Sequence, residues 1–163
     1  MQDQKPLFYQ TEVEWTEGRR GHLRSPNLPG LDIAAPPEFQ GQEGIWTPEH
    51  LYVASVVSCF MTTFLAIAQN SKLDVVSFCA SAQGKLEKIE GAGYQITEII
   101  LKPRLVVRNS RDLERAARIL EKAEKNCFIS NSIKTAVKLE PQIYHEQKPA
   151  YPCPSVPESE SPG

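Results

Sequence analysis

The sequence predicts an α+β fold, an antiparallel sheet carrying a long buried central helix. Three observations point there. Leu51 to Ala68 is an 18-residue run with no charged side chain. Two alternating segments of strand type, residues 74–88 and 94–107, are separated by Glu90-Gly91-Ala92-Gly93. One amphipathic helix and one short strand follow, so strands and helices are grouped rather than alternating as in a parallel α/β sheet.

Tyr9, Thr11, Val13 and Trp15 alternate with Gln10, Glu12 and Glu14, and residues 7–16 read as a half-buried strand. Gly18-Arg19-Arg20-Gly21 is a turn, residues 21–25 a second strand, and Leu31-Asp32-Ile33 a third short one. Two prolines and two glycines mark residues 34–46 as an irregular loop.

The central helix is expected over 48–70. Thr47 is placed at its N-cap, Pro48 at its first position and Glu49 in the positive first turn. A helix apolar on all sides is surrounded by lipid or by a protein core, and 18 residues meet the length of a membrane span. Ser55, Ser58, Thr62 and Thr63 dilute the run, and its flanks carry no basic cluster. The expectation is a core helix and no membrane. A single sheet covers one side of such a helix, so a second copy of the chain is the simplest supplier of the other layer.

In the first long strand Val76, Phe78, Ala80, Ala82 and Leu86 share a face, with Cys79, Ser77, Ser81 and Gln83 opposite. In the second, Thr97, Ile99, Leu101, Leu105 and Val107 share a face, and Pro103 implies an edge or a bulge. Ser110 caps a helix whose stripe is Leu113, Ala116, Ala117, Leu120 and Ala123, continued by Cys127. Its other face, with Arg111, Glu114, Arg118, Glu121 and Lys122, is a solvated surface. A last strand covers 135–140. The organisation is then one domain over residues 1–141 and a disordered tail over 142–163, rich in proline, serine and glutamate.

The chain has 163 residues, 40% hydrophobic and 23% charged, with a net charge of −2. These are globular values, and they argue against a nucleic-acid surface, which needs a clustered basic face. No apolar segment follows Met1-Gln2-Asp3-Gln4-Lys5, so no signal peptide is expected and cytoplasm is the default. The four cysteines, at 59, 79, 127 and 153, show no close pairing, and the three histidines complete no metal-ligand spacing. Reduced thiols are expected, with any disulfide transient.

Two of those thiols carry the chemical interest. Cys59 sits mid-helix and Cys127 continues the buried stripe of the second helix, so both point into one core. A thiol in an apolar setting is inert unless a cation and a second thiol reach it. Arg19 and Arg20 lie in a glycine-flanked turn that can aim a guanidinium inward. Glu49 precedes Cys59 by ten residues, ~15 Å along a straight helix, so it can act only at the thiol of a second chain. Cys79 reads as an outer-face residue and Cys153 as a tail passenger, neither of them required.

Thr47-Pro48-Glu49-His50-Leu51, then Ser58-Cys59-Phe60, then Asn126-Cys127-Phe128-Ile129-Ser130 and a closing strand resemble the OsmC/Ohr family. These are the osmotically inducible and organic hydroperoxide resistance proteins, and the likeness covers roughly residues 7 to 141. The resemblance implies an OsmC-like intertwined homodimer with active sites at the subunit interface, and a cysteine-based peroxidase acting on organic hydroperoxides. It implies that Cys59 is the peroxidatic thiol, Cys127 the resolving thiol, Arg19 the activating arginine and Glu49 the carboxylate that orients it. No bound cofactor is expected; the reductant is an external dithiol, typically a lipoyl group on a carrier protein. Phe60, Met61 and Phe64 would line an apolar pocket that favours bulky organic peroxides. The chain departs from the family pattern at Phe128, where the hydroperoxide-resistance branch has proline, and in the proline-rich connection from Pro26 to Pro37, which leaves Arg20 and Arg24 as alternative arginines. A non-catalytic redox sensor or ligand-binding protein on the same scaffold is the alternative.

Overall fold

The computed structural model describes residues 4–146. The chain divides after Leu51 into two compact units, where the sequence reads one domain to residue 141.

The first unit holds β1 (Glu12–Glu17), β2 (Arg20–Arg24) and β3 (Leu31–Ala34), an antiparallel sheet in that order. Gly18, at φ +48°, makes the β1–β2 turn, a conformation that other residues adopt at a cost. The loop that follows contains one 3-10 turn, Pro37–Phe39, and returns so that the Ala34 N–H donates to the Trp46 carbonyl at 2.9 Å. The alternation in β1 is present but not half-buried: every residue of the strand is exposed, Val13 at 62% and Trp15 at 74%. Trp15 donates its indole N–H to the Gly18 carbonyl at 3.0 Å.

The central helix α1 runs Pro48–Asn70, as its N-terminal signals require. Thr47 Oγ1 accepts the His50 N–H at 3.2 Å and meets His50 Nδ1 at 2.9 Å, so both side chains close the first turn. At the far end Lys72 takes φ +54° and the Leu73 N–H reaches the Ala68 carbonyl, a Schellman closure with Leu73 buried. By length and composition α1 is apolar enough to cross a membrane. Its inner stripe is a wall of the second unit's core. Val56, Phe60, Phe64 and Ala68, spaced by four, are the buried residues; Met61 and Leu65 remain about 40% exposed. The expectation of burial on all sides therefore holds for one face only, because one chain supplies one covering layer.

In the second unit β4 (Val75–Ile89) and β5 (Gly93–Val107) form a long antiparallel hairpin. β6 (Ala136–Leu139) and β7 (Gln142–His145) both add to β5 in parallel, so the sheet is mixed rather than antiparallel. The strand β7 lies in what the sequence assigns to the tail; residues 147–163, with Cys153, lie outside the described residues. Helix α2 (Leu113–Lys125), begun by a 3-10 turn at Ser110–Asp112, buries Ala116, Ile119, Leu120 and Ala123. These meet the α1 stripe and Ile99, Leu101, Leu105 and Val107 in one core. Phe64 stacks on Phe78 at 4.7 Å, and Phe60 lies 6.3 Å from the same ring.

Two details correct the strand reading. Bulges at Val75/Ser77 and Lys85/Leu86 shift the register, so Val75 rather than Val76 faces the core and Leu86 is exposed. Pro103 sits in the centre of the sheet, opposite Ala80, at neither an outer edge nor a bulge. Leu101 and Val107, which share its parity, accept from Glu140 and Glu146 beyond the ends of β6 and β7. The missing proline N–H thus faces the break between those two strands, where no ladder bond is lost.

Candidate active site

Helix α1 sets Cys59 on the flank of its buried stripe, half-buried and one turn before Thr63. Cys127 lies two residues beyond α2 and is fully buried. The exit from α2 is tied down by side chains: Asn126 Nδ2 donates to the Lys122 carbonyl at 2.7 Å and Asn131 Nδ2 to the Lys125 carbonyl at 3.0 Å. The chain turns at once, with the Asn131 N–H on the Cys127 carbonyl at 3.0 Å.

The turn brings the two sulfurs together. Burial pushes the Cys59 thiol up, but hydrogen bonds outweigh it: the Ile129 N–H, the Cys127 thiol, the Thr63 hydroxyl and the Phe128 N–H all favour the anion. The net shift is below the ordinary thiol value. Cys127 moves the other way: burial raises it, Ser130 offsets part of that rise, and the Cys59 anion beside it opposes a second charge. The pair is polarised, with Cys59 the better anion and Cys127 the better proton donor.

The arginines and the glutamate singled out in the sequence belong to the first unit. Arg19 is exposed in the β1–β2 turn, its guanidinium donating to the Phe39 carbonyl at 2.5 Å. Arg20 pairs with Glu17 at 3.4 Å and approaches Asp32 at 4.0 Å, and Arg24 pairs with Glu14 at 2.9 Å. Among the described residues Glu49 forms no ion pair, and its Oε2 is buried without a partner. The Arg19–Glu49 pair that the resemblance implies is therefore not formed here; the 3-10 turn at Pro37–Phe39 offers Arg19 a carbonyl instead. Phe60 and Phe64 are wholly buried in the core and present no surface to a substrate; of the three expected pocket residues only Met61, at 38%, is exposed. Cys79, expected reduced, is disulfide-bonded.

Sequence reading missed Thr63 and the two amides. Thr63 stands four residues after Cys59, the spacing that places neighbours on one helix face, and was legible. The amides of Phe128 and Ile129 leave no side-chain signal. Ser55 and Ser58, neighbours of Cys59 in sequence, bond carbonyls of their own helix, at Tyr52 and Ala54.

Comparison with known proteins gives a consistent result. The family model described as OsmC-like protein matches residues 41–142. A Bacillus subtilis protein carrying the name YmaD is 25% identical over 138 residues, covering 82% of this chain and 90% of that one. The structure of an OsmC-like protein of unknown function from Vibrio cholerae matches with a TM-score of 0.77 at 25% identity, covering 84% of this chain and 100% of the other. An organic hydroperoxide resistance protein OsmC from Legionella pneumophila shares the fold, with a TM-score of 0.69 at 24% identity over 85% of this chain and 99% of that one.

Proposed function

Since the chain belongs to the OsmC-like family, we propose that it is a thiol-dependent peroxidase that reduces organic hydroperoxides to alcohols. The observation that carries this reading is the polarised contact between Cys59 and Cys127. The Cys59 thiolate attacks the distal peroxide oxygen; the O–O bond breaks, an alcohol leaves with one proton, and Cys59 is left as a sulfenic acid. The Cys127 sulfur then displaces that hydroxyl as water and closes a Cys59–Cys127 disulfide. An external dithiol, such as a lipoyl group on a carrier protein, restores both thiols and is itself oxidised to a disulfide. The protein binds no cofactor in this scheme.

The reading includes a homodimer. The exposed apolar residues of α1 and the uncovered β1 strand support it, since both need a covering layer. Glu49 acts in it at the Cys59 of a second copy, and Arg19 serves as the activating cation once that copy is present. A thiol pair reset by a dithiol suits a reducing compartment, so the reading places the activity in the cytoplasm.

The test is peptide mass spectrometry after one equivalent of cumene hydroperoxide, on wild type and on Cys127→Ser. A Cys59–Cys127 bridge in the first and a trapped Cys59 sulfenic acid in the second are expected. Oxidation of Cys59 no faster than that of free cysteine would instead favour a non-catalytic redox sensor. Equal rates with hydrogen peroxide would remove the preference for organic substrates.

A further inference from the structure

A hydroxyl on helix α1 reaches the segment that follows Cys127. The side chains of Ser55, Ser58 and Thr62 bond carbonyls of the helix itself, at Tyr52, Ala54 and Cys59. Tyr52 reaches outward instead. Its hydroxyl lies 2.7 Å from Thr135 Oγ1, and Thr135 Oγ1 donates to the Ile96 carbonyl at 2.8 Å. A carbonyl only accepts, so the single Thr135 proton is committed to Ile96 and Tyr52 must be the donor. The bonds therefore run one way, from α1 through Thr135 to β5. Thr135 is buried, so water does not readily replace either bond.

Thr135 closes a short strap that is bonded to itself. Cys127, at its start, is wholly buried. The Cys127 carbonyl accepts the Asn131 N–H at 3.0 Å, the Phe128 carbonyl the Ser132 hydroxyl at 2.7 Å, and the Ile129 carbonyl the Ser132 N–H at 2.9 Å. Ile129 and Ile133 pack against the core that the inner stripe of α1 helps to form. Such a strap is stiff, and holding it at Thr135 also holds Cys127. On the helix, Tyr52 and Cys59 are seven residues apart, two turns and about 10 Å along one face. The two ends of the strap thus meet one flank of α1, Thr135 at Tyr52 and Cys127 at Cys59.

We propose that Tyr52 is a positioning residue for the disulfide-forming step: its hydroxyl, through Thr135, clamps residues 127–135 along α1 and keeps Cys127 within reach of Cys59. This rests on reading Cys127 as the resolving thiol and adds what holds it in place. Standing two turns from Cys59, Tyr52 acts through the strap and not on the sulfur. It shortens the search that Cys127 makes before displacing the hydroxyl of a Cys59 sulfenic acid as water.

The experiment separates the two oxidation steps in the full chain. A single turnover with cumene hydroperoxide is followed by dimedone trapping of the sulfenic acid and by mass spectrometry of the Cys59–Cys127 disulfide. Tyr52→Phe removes the hydroxyl alone. Thr135→Val removes its acceptor and serves if the first variant does not fold, and Thr135→Ser keeps the acceptor. In Tyr52→Phe and Thr135→Val, Cys59 should be oxidised at the wild-type rate while its sulfenic acid persists about fivefold longer, as expected for loss of one hydrogen bond. Thr135→Ser should close its disulfide as wild type does. A second measurement needs no peroxide. In glutathione buffer, one oxidised glutathione takes two electrons and two protons from the thiol pair and leaves as two reduced molecules. The equilibrium constant for that bridge should fall about fivefold in the same two variants. Wild-type closing rates and bridge constants in Tyr52→Phe would overturn the clamp. So would a loss shared equally by oxidation and closing, which is what general loosening of the fold produces. A lowered bridge constant in a protein that never reacts with hydroperoxide would keep the clamp and remove the peroxidase.

Discussion

Cys59 and Cys127 act on one another and are ordered by acidity: the Ile129 amide and the Cys127 thiol lower Cys59 against its burial, while burial raises Cys127. Each residue alone is unremarkable in sequence, one mid-helix and one at a helix exit. Their meeting depends on the tight exit from α2, fastened by Asn126 and Asn131, which turns the chain back toward α1.

That order predicts the course of alkylation. Cys59 lies below the ordinary thiol value and Cys127 above it, so iodoacetamide should modify Cys59 first and Cys127 only in more alkaline solution. The same shifts predict stability. Cys59, lowered in the folded protein, contributes stability above its unfolded value of about 9, lost as pH falls through its folded value. Cys127, raised, contributes stability below about 9 that is lost as pH rises through its folded value. Cys127→Ala should therefore flatten the alkaline loss of stability, and Cys59→Ala the dependence on the acid side of 9. Urea melts between pH 7 and 10 measure both; identical pH dependence in wild type and the two variants would contradict the shifts.

How much of this was legible in the chain differs by element. The start of α1 was, because Thr47, Pro48 and Glu49 each suit one position of a helix N-terminus. The fates of Phe60 and Phe64 were also legible: with Val56 and Ala68 they repeat every four residues, and such a stripe is a core, not a pocket lining. The two bulges of β4 were not, since a register shift is set by the partner strand, and neither Val76 nor Leu86 carries a mark of it. β7 was hidden behind Pro141, a sound strand terminator after which a parallel neighbour of β5 nonetheless resumes. Arg19 was correctly placed in a turn, but the acceptor of its guanidinium, the Phe39 carbonyl, is a backbone atom brought near by the loop.

Because Phe64 belongs to the core, Phe64→Ala should act on stability rather than on substrate choice. Its ring is fully buried and stacked on Phe78. Truncation should cost about 3–5 kcal/mol. Urea denaturation measures the loss. A variant that kept wild-type stability while changing the ratio of rates for cumene and hydrogen peroxides would restore Phe64 to the pocket.

At Gly84 the sheet leaves no room for a side chain beneath α1. A Cβ placed there would meet Val53 Cγ2 at 2.5 Å. Gly84→Val must push the helix or the strand aside, and overpacking of this kind costs about 1–3 kcal/mol. Gly84→Val combined with Val53→Ala should recover part of that loss, because the second change removes the atom met by the first. A double variant no more stable than Gly84→Val alone would mean that the clash is not with Val53.

The disulfide at Cys79 separates this thiol from the reacting pair. Cys79 stands in β4 opposite Arg104, and it is bonded where Cys59 and Cys127 are free. Maleimide added to the native protein without reductant should label Cys59 and leave Cys79 unmodified; prior treatment with dithiothreitol should open Cys79 to label. Because Cys79 takes no part in the contact between the other two, Cys79→Ser should leave the pH profile of Cys59 alkylation where it was. A profile displaced by that substitution would tie the bonded cysteine to the polarised pair and make three thiols, not two, the unit of the chemistry.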